Sequence, residues 1–437
     1  MAKEVLPPFY KGESGKGSYD TLGYSVTENL DVHSQLGTTT CQVSIASEST
    51  TPNQASIGAI VSNGDTFWAS TTSGKIWKRT SAGVYSLVHT NTQGNNCGIA
   101  AFQGYLYYWS ATKIGRITIA LASSESTWSS QNDSYGTFTN GSSYKPYSIC
   151  NLSLFIGDGN YVARIDYGHT FSANVLDVES QYSITAIENA DGWLLLGLTL
   201  STSVCFSKVV LWDTYSSSWT YEDDLYEIGI SAFIVSDNII FILAGTTGNI
   251  YYWTGAKAQF YAKIPSLSTA VSINPYNVAI LGGKALFAIG TRIYSIHKSD
   301  KDMPYSIVEE FTLSSGTAAS ILVKGSDLLV SNGSAIFKTG TDKATAKITS
   351  SYFQETFNEV TVPYESMPAG CSIGLETNCN NTGWVTETNF EDDTTNMRYQ
   401  LIGAPTFDGV INFYKLRFTL NPVTSTAPVI KQPIIHM

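Results

Sequence analysis

The chain has 437 residues, of which 43% are hydrophobic and only 14% are charged, and its net charge is −11 at pH 7. This length exceeds the usual size of one hydrophobic core, so we expect at least two domains. The acidic balance argues against direct contact with nucleic acid and against binding to an anionic membrane surface, because both partners need a basic face. Abundant Ser, Thr, Asn, Gly and Tyr favour strands and turns, which predicts an all-β protein.

Residues 1–50 are polar, rich in Gly and Ser, and without a strong period. They predict an extended arm that becomes ordered against another surface, because they carry too little apolar area to fold alone. Leu6, Phe9 and Tyr10 form an apolar end that we expect to dock on a neighbouring protein. Removal of residues 1–35 is expected to leave a folded protein that no longer assembles. The first strand-like segment, residues 42–47, fits either the following repeats or the last domain.

The opening segment MAKEVLPPFYKGESGKG lacks the apolar core of a signal peptide. We therefore expect synthesis in a cytoplasm, with no export by the classical route. The longest apolar runs are also too short to cross a bilayer.

A strand-turn-strand pattern recurs seven times within residues 51–349. The centres of the middle strands are Phe67, Leu106, Leu154, Leu194, Ile240, Leu286 and Leu328. Successive centres lie roughly 40–50 residues apart, which is the period of β-propeller blades. Such blades must stack around an axis because one unit cannot bury its own apolar face. The sequence therefore predicts a seven-bladed β-propeller over residues 51–349.

Further alternating segments between the repeats are predicted to be the fourth, outermost strands of the blades. They are residues 83–90, 218–224, 259–265, 305–313 and 344–350. A polar stretch at residues 121–143 is interpreted as a long loop, and residues 198–207 as an insertion in the fourth unit.

The blade-length repeat ends at about residue 350. Five or more strands follow, separated by Pro, Gly and Asn turns at intervals of roughly ten residues. This pattern predicts a small antiparallel β-sandwich over residues 350–437. The predicted fold is thus an all-β chain with an arm, a propeller and a C-terminal sandwich.

The candidate metal and catalytic motifs are weak. None of the five histidines has a second ligand at a metal-binding spacing, so neither a metal site nor a cofactor is predicted. They are His33, His89, His169, His297 and His436. No pair or triad points to catalysis, and the protein is expected not to be an enzyme. The sequence GDGN at residues 157–160 is interpreted as a hairpin with Asp158 and Gly159 as its two turn residues, rather than as a phosphate or calcium loop.

Three further features have two interpretations each. The acidic clusters at residues 222–224 and 391–393 fit solvated turns better than calcium sites. The aromatic clusters at residues 105–109 and 251–253 fit the core better than a ligand platform. The six cysteines are predicted to be buried free thiols, with a Cys371–Cys379 disulfide as the one plausible bridge.

Four segments together resemble the structural β-propeller proteins of bacteriophage tails, namely residues 24–42, 209–219, 239–255 and 413–435. In that family the propeller is a rigid block in the tail or nozzle, the N-terminal segment and the sandwich dock on neighbouring subunits, and no reaction is catalysed. The resemblance implies a virion tail protein that contacts other tail proteins and copies of itself. The alternative is a propeller displayed on the virion that binds a host receptor or glycan. A polysaccharide-degrading enzyme is the third hypothesis.

Overall fold

The computed structural model describes residues 3–5, 26–31, 38–48, 57–63, 66–71, 73–79, 83–119, 132–200, 205–236, 239–264, 276–298, 305–350, 359–365, 367–379, 382–391, 397–401, 414–431 and 434–436. These residues form forty β-strands and no α-helix, which confirms the all-β prediction. Within them, no helix has the length and apolar character needed to cross a membrane.

Five short strands come first in the chain: β1 (Lys3–Val5), β2 (Val26–Glu28), β3 (Leu30–Asp31), β4 (Thr38–Cys41) and β5 (Val43–Ser47). Blade 1 consists of β6 (Ile57–Asn63), β7 (Thr66–Thr71), β8 (Lys75–Arg79) and β9 (Tyr85–Thr90). Blade 2 consists of β10 (Gly98–Phe102), β11 (Tyr105–Trp109), β12 (Lys113–Thr118) and β13 (Asn132–Thr137). Blade 3 consists of β14 (Tyr147–Cys150), β15 (Ser153–Asp158), β16 (Tyr161–Ile165) and β17 (Phe171–Asp177).

Blade 4 consists of β18 (Tyr182–Ala190), β19 (Trp193–Leu200), β20 (Ser207–Trp212) and β21 (Tyr221–Leu225). Blade 5 consists of β22 (Ile230–Ser236), β23 (Ile239–Ala244), β24 (Asn249–Trp253) and β25 (Ala258–Lys263). Blade 6 consists of β26 (Val278–Leu281), β27 (Lys284–Ile289), β28 (Arg292–His297) and β29 (Ser306–Thr312). Blade 7 combines β30 (Ser320–Lys324), β31 (Asp327–Ser331) and β32 (Ile336–Lys343) with β5. These seven four-stranded antiparallel sheets form a β-propeller, consistent with the seven repeats.

The blades close into a ring through their apolar faces. Each pair of neighbouring blades shares its own apolar cluster, including the pair formed by the last and first blades. In blade 4, Leu194 and Leu196 pack towards blade 3 while Leu195 packs towards blade 5. Because successive strand residues point to opposite faces, one alternating apolar strand serves two neighbours.

The ring is closed by the N-terminal part of the chain. Strand β5 pairs with β32 as the fourth strand of blade 7, with Ile45 opposite Thr339. The next residue beyond β5, Glu48, accepts hydrogen bonds from Arg79 and Tyr85 of blade 1. The assignment of residues 344–350 to this blade was therefore wrong. Residues 42–47 and 344–350 both alternate between apolar and polar side chains. Residues 43–47 form the fourth strand of blade 7, and the next residues of the chain also reach blade 1.

The polar stretch at residues 121–143 also differs from its prediction as a loop. Residues 132–137 form β13, which pairs with β12 and completes blade 2. Its side chains are polar because this outermost strand is only partly covered.

The remaining strands are β33 (Ala346–Thr349), β34 (Glu359–Pro363), β35 (Ser372–Cys379), β36 (Val385–Glu391), β37 (Met397–Leu401), β38 (Tyr414–Asn421), β39 (Val429–Lys431) and β40 (Ile434–His436). They form a sheet ordered β2-β33-β38-β35-β36, a second ordered β1-β40-β34-β37, and a third ordered β3-β4-β39. All three contribute to one apolar core, for example through Phe418, Val360 and Ile430. This packing is consistent with the predicted sandwich.

The described parts of the arm lie on the sandwich of the same chain. Strand β1 pairs with β40, β2 pairs with β33, and β3 pairs with β4. Edge strands of a sheet carry unpaired backbone groups, and these short arm strands satisfy them. The expectation that residues 1–35 are dispensable for folding is thus revised, because Leu30 is completely buried in the sandwich core. Leu6, Phe9 and Tyr10 lie outside the described residues, so their docking stays a prediction.

The sandwich packs against the outermost strand of blade 6. Val308 of β29 belongs to the sandwich core. Beside it, Lys284 donates to Glu310 at 2.9 Å and lies 3.7 Å from Asp31, while the Gln42 amide donates to Glu310 at 2.7 Å. This polar cluster joins blade 6 to β3 and to the residue between β4 and β5.

Candidate functional site

The two ends of the propeller axis are built differently. The innermost strand of a blade leads into the second strand through a tight turn, and residues 103–104, 151–152, 191–192, 282–283 and 325–326 are such two-residue turns. Because the innermost strands run in the same sense around the ring, these turns share one end, here called the inner-turn face. The connections that enter the innermost strands lie at the opposite end, here called the entry face.

An axial cavity of about 530 Å³ lies between the innermost strands of blades 1, 3, 4, 6 and 7. Ile149, Glu188 and Ile280 line it close to the inner turns that follow their strands. The cavity therefore extends towards the inner-turn face. Its remaining lining comes from Ile60, Val61, Ser62, Tyr147, Ser148, Tyr276, Val278, Ala279, Ser320, Ile321, Leu322 and Val323.

Tyr276 crosses the axis and forms the inner limit of this cavity. It precedes the innermost strand of blade 6, yet its hydroxyl donates to the backbone oxygen of Lys145 at 2.9 Å, next to blade 3. Its ring lies 5.5 Å from the ring of Tyr147 and contacts the cores between blades 1, 2 and 3. A second cavity of about 300 Å³, whose lining includes Gly58, Asn96 and Lys145, also borders Tyr276 on its entry-face side.

Gly98 makes room for the Tyr276 side chain. A Cβ atom at this position would collide with the Tyr276 hydroxyl and would lie 2.6 Å from the Trp109 ring. We expect Gly98→Ala to displace Tyr276 and to lower the free energy of unfolding by about 1–3 kcal/mol, the usual cost of overpacking. Denaturant unfolding measures this change. Gly340→Ala, where the nearest atom would lie at 3.4 Å, is the matched control and should be nearly neutral. Equal stability of the two variants would show that Tyr276 is not wedged at the axis.

Glu188 is the carboxyl group of the axial cavity. Burial raises its pKa to about 7, against hydrogen bonds from the Asn189 backbone and the Ser148 hydroxyl that lower it. The Asn189 N–H lies 2.8 Å from Glu188 Oε1. Two other titratable groups of β14, Tyr147 and Cys150, have their own pKa values raised mainly by burial and also by the Glu188 charge. The cavity thus holds a carboxyl group that changes charge near neutral pH.

The titration of Glu188 predicts a pH-dependent effect of Glu188→Gln. Because the pKa of Glu188 is higher in the folded protein than in the unfolded chain, the group's contribution to stability is present at low pH and is lost as the pH rises through about 7. Relative to the wild type, the variant should therefore gain about 2 kcal/mol between pH 5 and pH 8, after allowance for solvent in the open cavity. Urea unfolding at both pH values tests this. An equal stability difference at the two pH values would contradict it.

The inner turns of blades 3 and 4 form a connected platform. The Asn151 side chain donates to the backbone oxygen of Gly192 at 2.6 Å and to the Thr214 hydroxyl at 3.1 Å. It therefore ties the inner turn of blade 3 to two turns of blade 4. The platform carries Leu152, Trp193 and Tyr215, whose side chains are 64%, 36% and 79% exposed. Three exposed apolar or aromatic side chains thus stand on three turns that the Asn151 amide group connects.

The entry face contains a buried ion pair. Lys145 and Asp158 are both inaccessible to solvent and form a hydrogen-bonded pair. Asp158 also accepts backbone N–H groups of Asn140 at 2.6 Å and Ser142 at 3.0 Å. Burial lowers the pKa of Lys145, opposed by the Asp158 charge. The carboxylate of the GDGN segment thus serves internal packing. The hairpin is confirmed, but its two-residue turn is Gly159 and Asn160 rather than Asp158 and Gly159, because Asp158 pairs with Tyr161.

The aromatic cluster of blade 2 lies in the core, as predicted. Tyr107, Tyr108 and Trp109 are completely buried. Tyr108 donates to Asp133, which also lies 2.6 Å from His89. Burial raises the pKa of Asp133, but hydrogen bonds from His89, Thr92 and Tyr108 outweigh it and hold the value well below its usual range. This network fastens the outermost strand of blade 2 to blade 1.

The acidic cluster at residues 222–224 is engaged within the fold. Asp223 accepts the Ala258 backbone N–H at 2.8 Å, and Glu222 accepts the Trp219 indole N–H at 2.9 Å. Among the described residues no group of three or more His, Cys, Asp or Glu side chains could hold a metal ion. Asp392 and Asp393 lie outside the described residues.

The cysteines are free thiols in the structure, but only Cys41, Cys150 and Cys371 are buried as predicted. Cys97 and Cys379 are half-buried, and Cys205 is exposed. Cys371 directly precedes β35 and Cys379 ends it, so the two are about 26 Å apart at the usual rise per strand residue and cannot form a bridge. The spacing in the sequence left that possibility open only because the strand connecting them was not known.

No family profile and no curated protein sequence matches this chain. Solved structures with similar folds include the β-propeller domain of Myceliophteria thermophila Cps50 (Swd1), with a TM-score of 0.47 and 10% identity over 67% of this chain and 98% of that one. The Neurospora crassa Pan2 WD40 domain has a TM-score of 0.46 and 8% identity over 69% of this chain and 95% of that one. A chain of the mitotic checkpoint complex has a TM-score of 0.49 and 12% identity over 68% of this chain and 94% of that one. The β-propeller fold of this chain rests on its own sheet topology.

Proposed function

We propose that the protein is a non-enzymatic structural component of a bacteriophage virion, in the tail or nozzle, where it binds neighbouring virion proteins and copies of itself. The observation that carries this proposal is the set of contacts made by residues 26–31 and 38–48, here called the strap. In sequence order, these residues enter the sandwich at β2, contact blade 6 at Asp31 and Gln42, and close the ring at β5. The described residues of the strap thereby fasten the sandwich to the propeller.

This construction suits a part that bears load. A closed ring has no long free sheet edges, and the strap would have to be stripped from both domains before either could move away. Residues 24–42 and 413–435, which resemble phage tail propellers, supply β2 to β4, β38 and β39. This resemblance also supports a structural role in a tail. We infer synthesis in the host cytoplasm and incorporation into the tail.

Mass spectrometry of purified virions, from the phage or induced prophage that carries the gene, tests the proposal. The protein should appear in intact particles at several copies each, because closed symmetry is the usual way to build a tail. Its presence in the lysate together with its absence from washed particles would refute the virion role.

A receptor- or glycan-binding role is the second candidate, and the exposed Trp193 and Tyr215 favour it because aromatic rings stack on sugars. A glycan array probed with the isolated protein distinguishes the two. Selective binding that Trp193→Ala abolishes would support the glycan role, and uniform background would support the structural one.

A further inference from the structure

We infer that the mouth of the axial cavity, together with the platform of Leu152, Trp193 and Tyr215, is a docking site for a protein segment that carries an apolar or aromatic residue beside a Lys or Arg. The inference rests on the proposed function in one respect, that the partner is a protein. It adds the place of binding and the chemistry of the partner.

The backbone of the platform is the first support. Asn151, Leu152, Asp191 and Thr214 have φ values of 46°, 56°, 53° and 72°, in the left-handed region. Leucine is strongly disfavoured there, and such strain persists only where the surrounding structure holds it. The Asn151 hydrogen bonds supply that hold. The strained turn thus presents an apolar side chain to solvent in a fixed place.

Charge is the second support. The charged residues in the platform turns and in the neighbouring blade 3 turn are Asp191, Asp213 and Asp166, all acidic. His169 lies in the same blade 3 turn, with its Nδ1 engaged by the Tyr107 hydroxyl at 2.8 Å, and Arg164 is half-buried on the preceding strand. Basic residues at the same end of the ring include Lys257 in the blade 5 turn and Lys324 beside the inner turn of blade 7. The negative charge is therefore confined to the turns of blades 3 and 4, and there it favours a basic partner.

The position of Glu188 is the third support. It stands opposite Leu195 in the hairpin whose turn leads to Trp193, so the cavity carboxylate and the exposed indole belong to one rigid unit. The groups that act on Glu188 are the Asn189 N–H, the Ser148 hydroxyl and burial, and none of these is a cation. A Lys or Arg that enters the cavity would make a charge-assisted hydrogen bond in a partly desolvated site, while its neighbour packs on Trp193.

A selection from a random peptide library, with the full-length protein as bait, tests the inference. Selected peptides should contain Lys or Arg beside an apolar or aromatic residue. Fluorescence anisotropy of one labelled peptide at pH 8 should then show affinity at least about 10-fold lower for Glu188→Gln and for Trp193→Ala, because charged hydrogen bonds and buried indoles have effects of this size. Wild-type affinity should also fall as the pH drops through about 7, whereas Glu188→Gln should respond little.

Matched controls come from the entry face. Glu179→Gln removes an exposed carboxylate and Tyr226→Ala removes an aromatic side chain that is 80% exposed, and both should bind as the wild type does. The inference is overturned if no peptide is selected, or if the selected peptides bind the Glu188 and Trp193 variants unchanged. Such a failure leaves the virion proposal standing if mass spectrometry finds the protein in particles, so the two results are separable.

Discussion

Replacement of Lys145 by Ala is expected to destabilise the protein by about 3–5 kcal/mol, the usual effect of removing one partner from a buried ion pair. Lys145 and Asp158 are both fully buried, and without the ammonium group Asp158 would keep only its backbone N–H donors. The Lys145 ammonium also lies 3.9 Å from the centre of the Phe138 ring, a contact that Ala cannot replace. Urea unfolding followed by tryptophan fluorescence measures the effect.

Lys338→Ala is the control for this experiment. Lys338 pairs with Asp327 at 2.8 Å, but both side chains are more than one third exposed, so its loss should change the stability by less than about 1 kcal/mol. If Lys145→Ala is no more destabilising than Lys338→Ala, the entry-face ion pair does not hold blade 3 to the connection that precedes it.

The second large effect concerns the strap. A chain that starts at residue 49 loses β5, which leaves β32 as an unpaired edge and removes Val43 and Ile45 from the core between blades 6 and 7. We expect this truncation to aggregate or to unfold without a cooperative transition, because an open ring exposes a long sheet edge and an apolar face.

A chain that starts at residue 38 is the matched comparison. It loses β1 to β3 and the buried Leu30, but it keeps β4 and the closing strand β5. We expect it to stay soluble with a destabilised sandwich, and limited proteolysis should cut the sandwich before the propeller. Equal solubility and protease resistance of the two truncations would show that β5 is not needed for closure.

The repeat made the propeller predictable because two signals coincide in it. Residues such as Leu194, Leu195 and Leu196 face two neighbouring blades in turn, so strand alternation and the blade-length period both appear in the sequence. The fourth strand of blade 7 lacked such a signal. Residues 42–47 and 344–350 are both alternating strands, and only closure of the ring distinguishes them.

The site was largely hidden from the sequence for a different physical reason. Tyr276 and Glu188 become notable only because the ring brings blades 1, 3, 4, 6 and 7 around one axis. The turn at residues 151–152 lacks the Gly that normally marks such a hairpin, so its left-handed leucine had no local signature. The aromatic core of blade 2 was predictable, since alternating strand positions must bury half of their side chains.

Disruption of the gene in the phage or prophage that carries it tests the central claim most directly, with electron microscopy of the resulting particles. If the protein is a structural tail component, the particles should have truncated or missing tails and should not infect, and expression of the wild-type protein in the host should restore both properties. Particles with complete tails and normal infectivity would contradict the account.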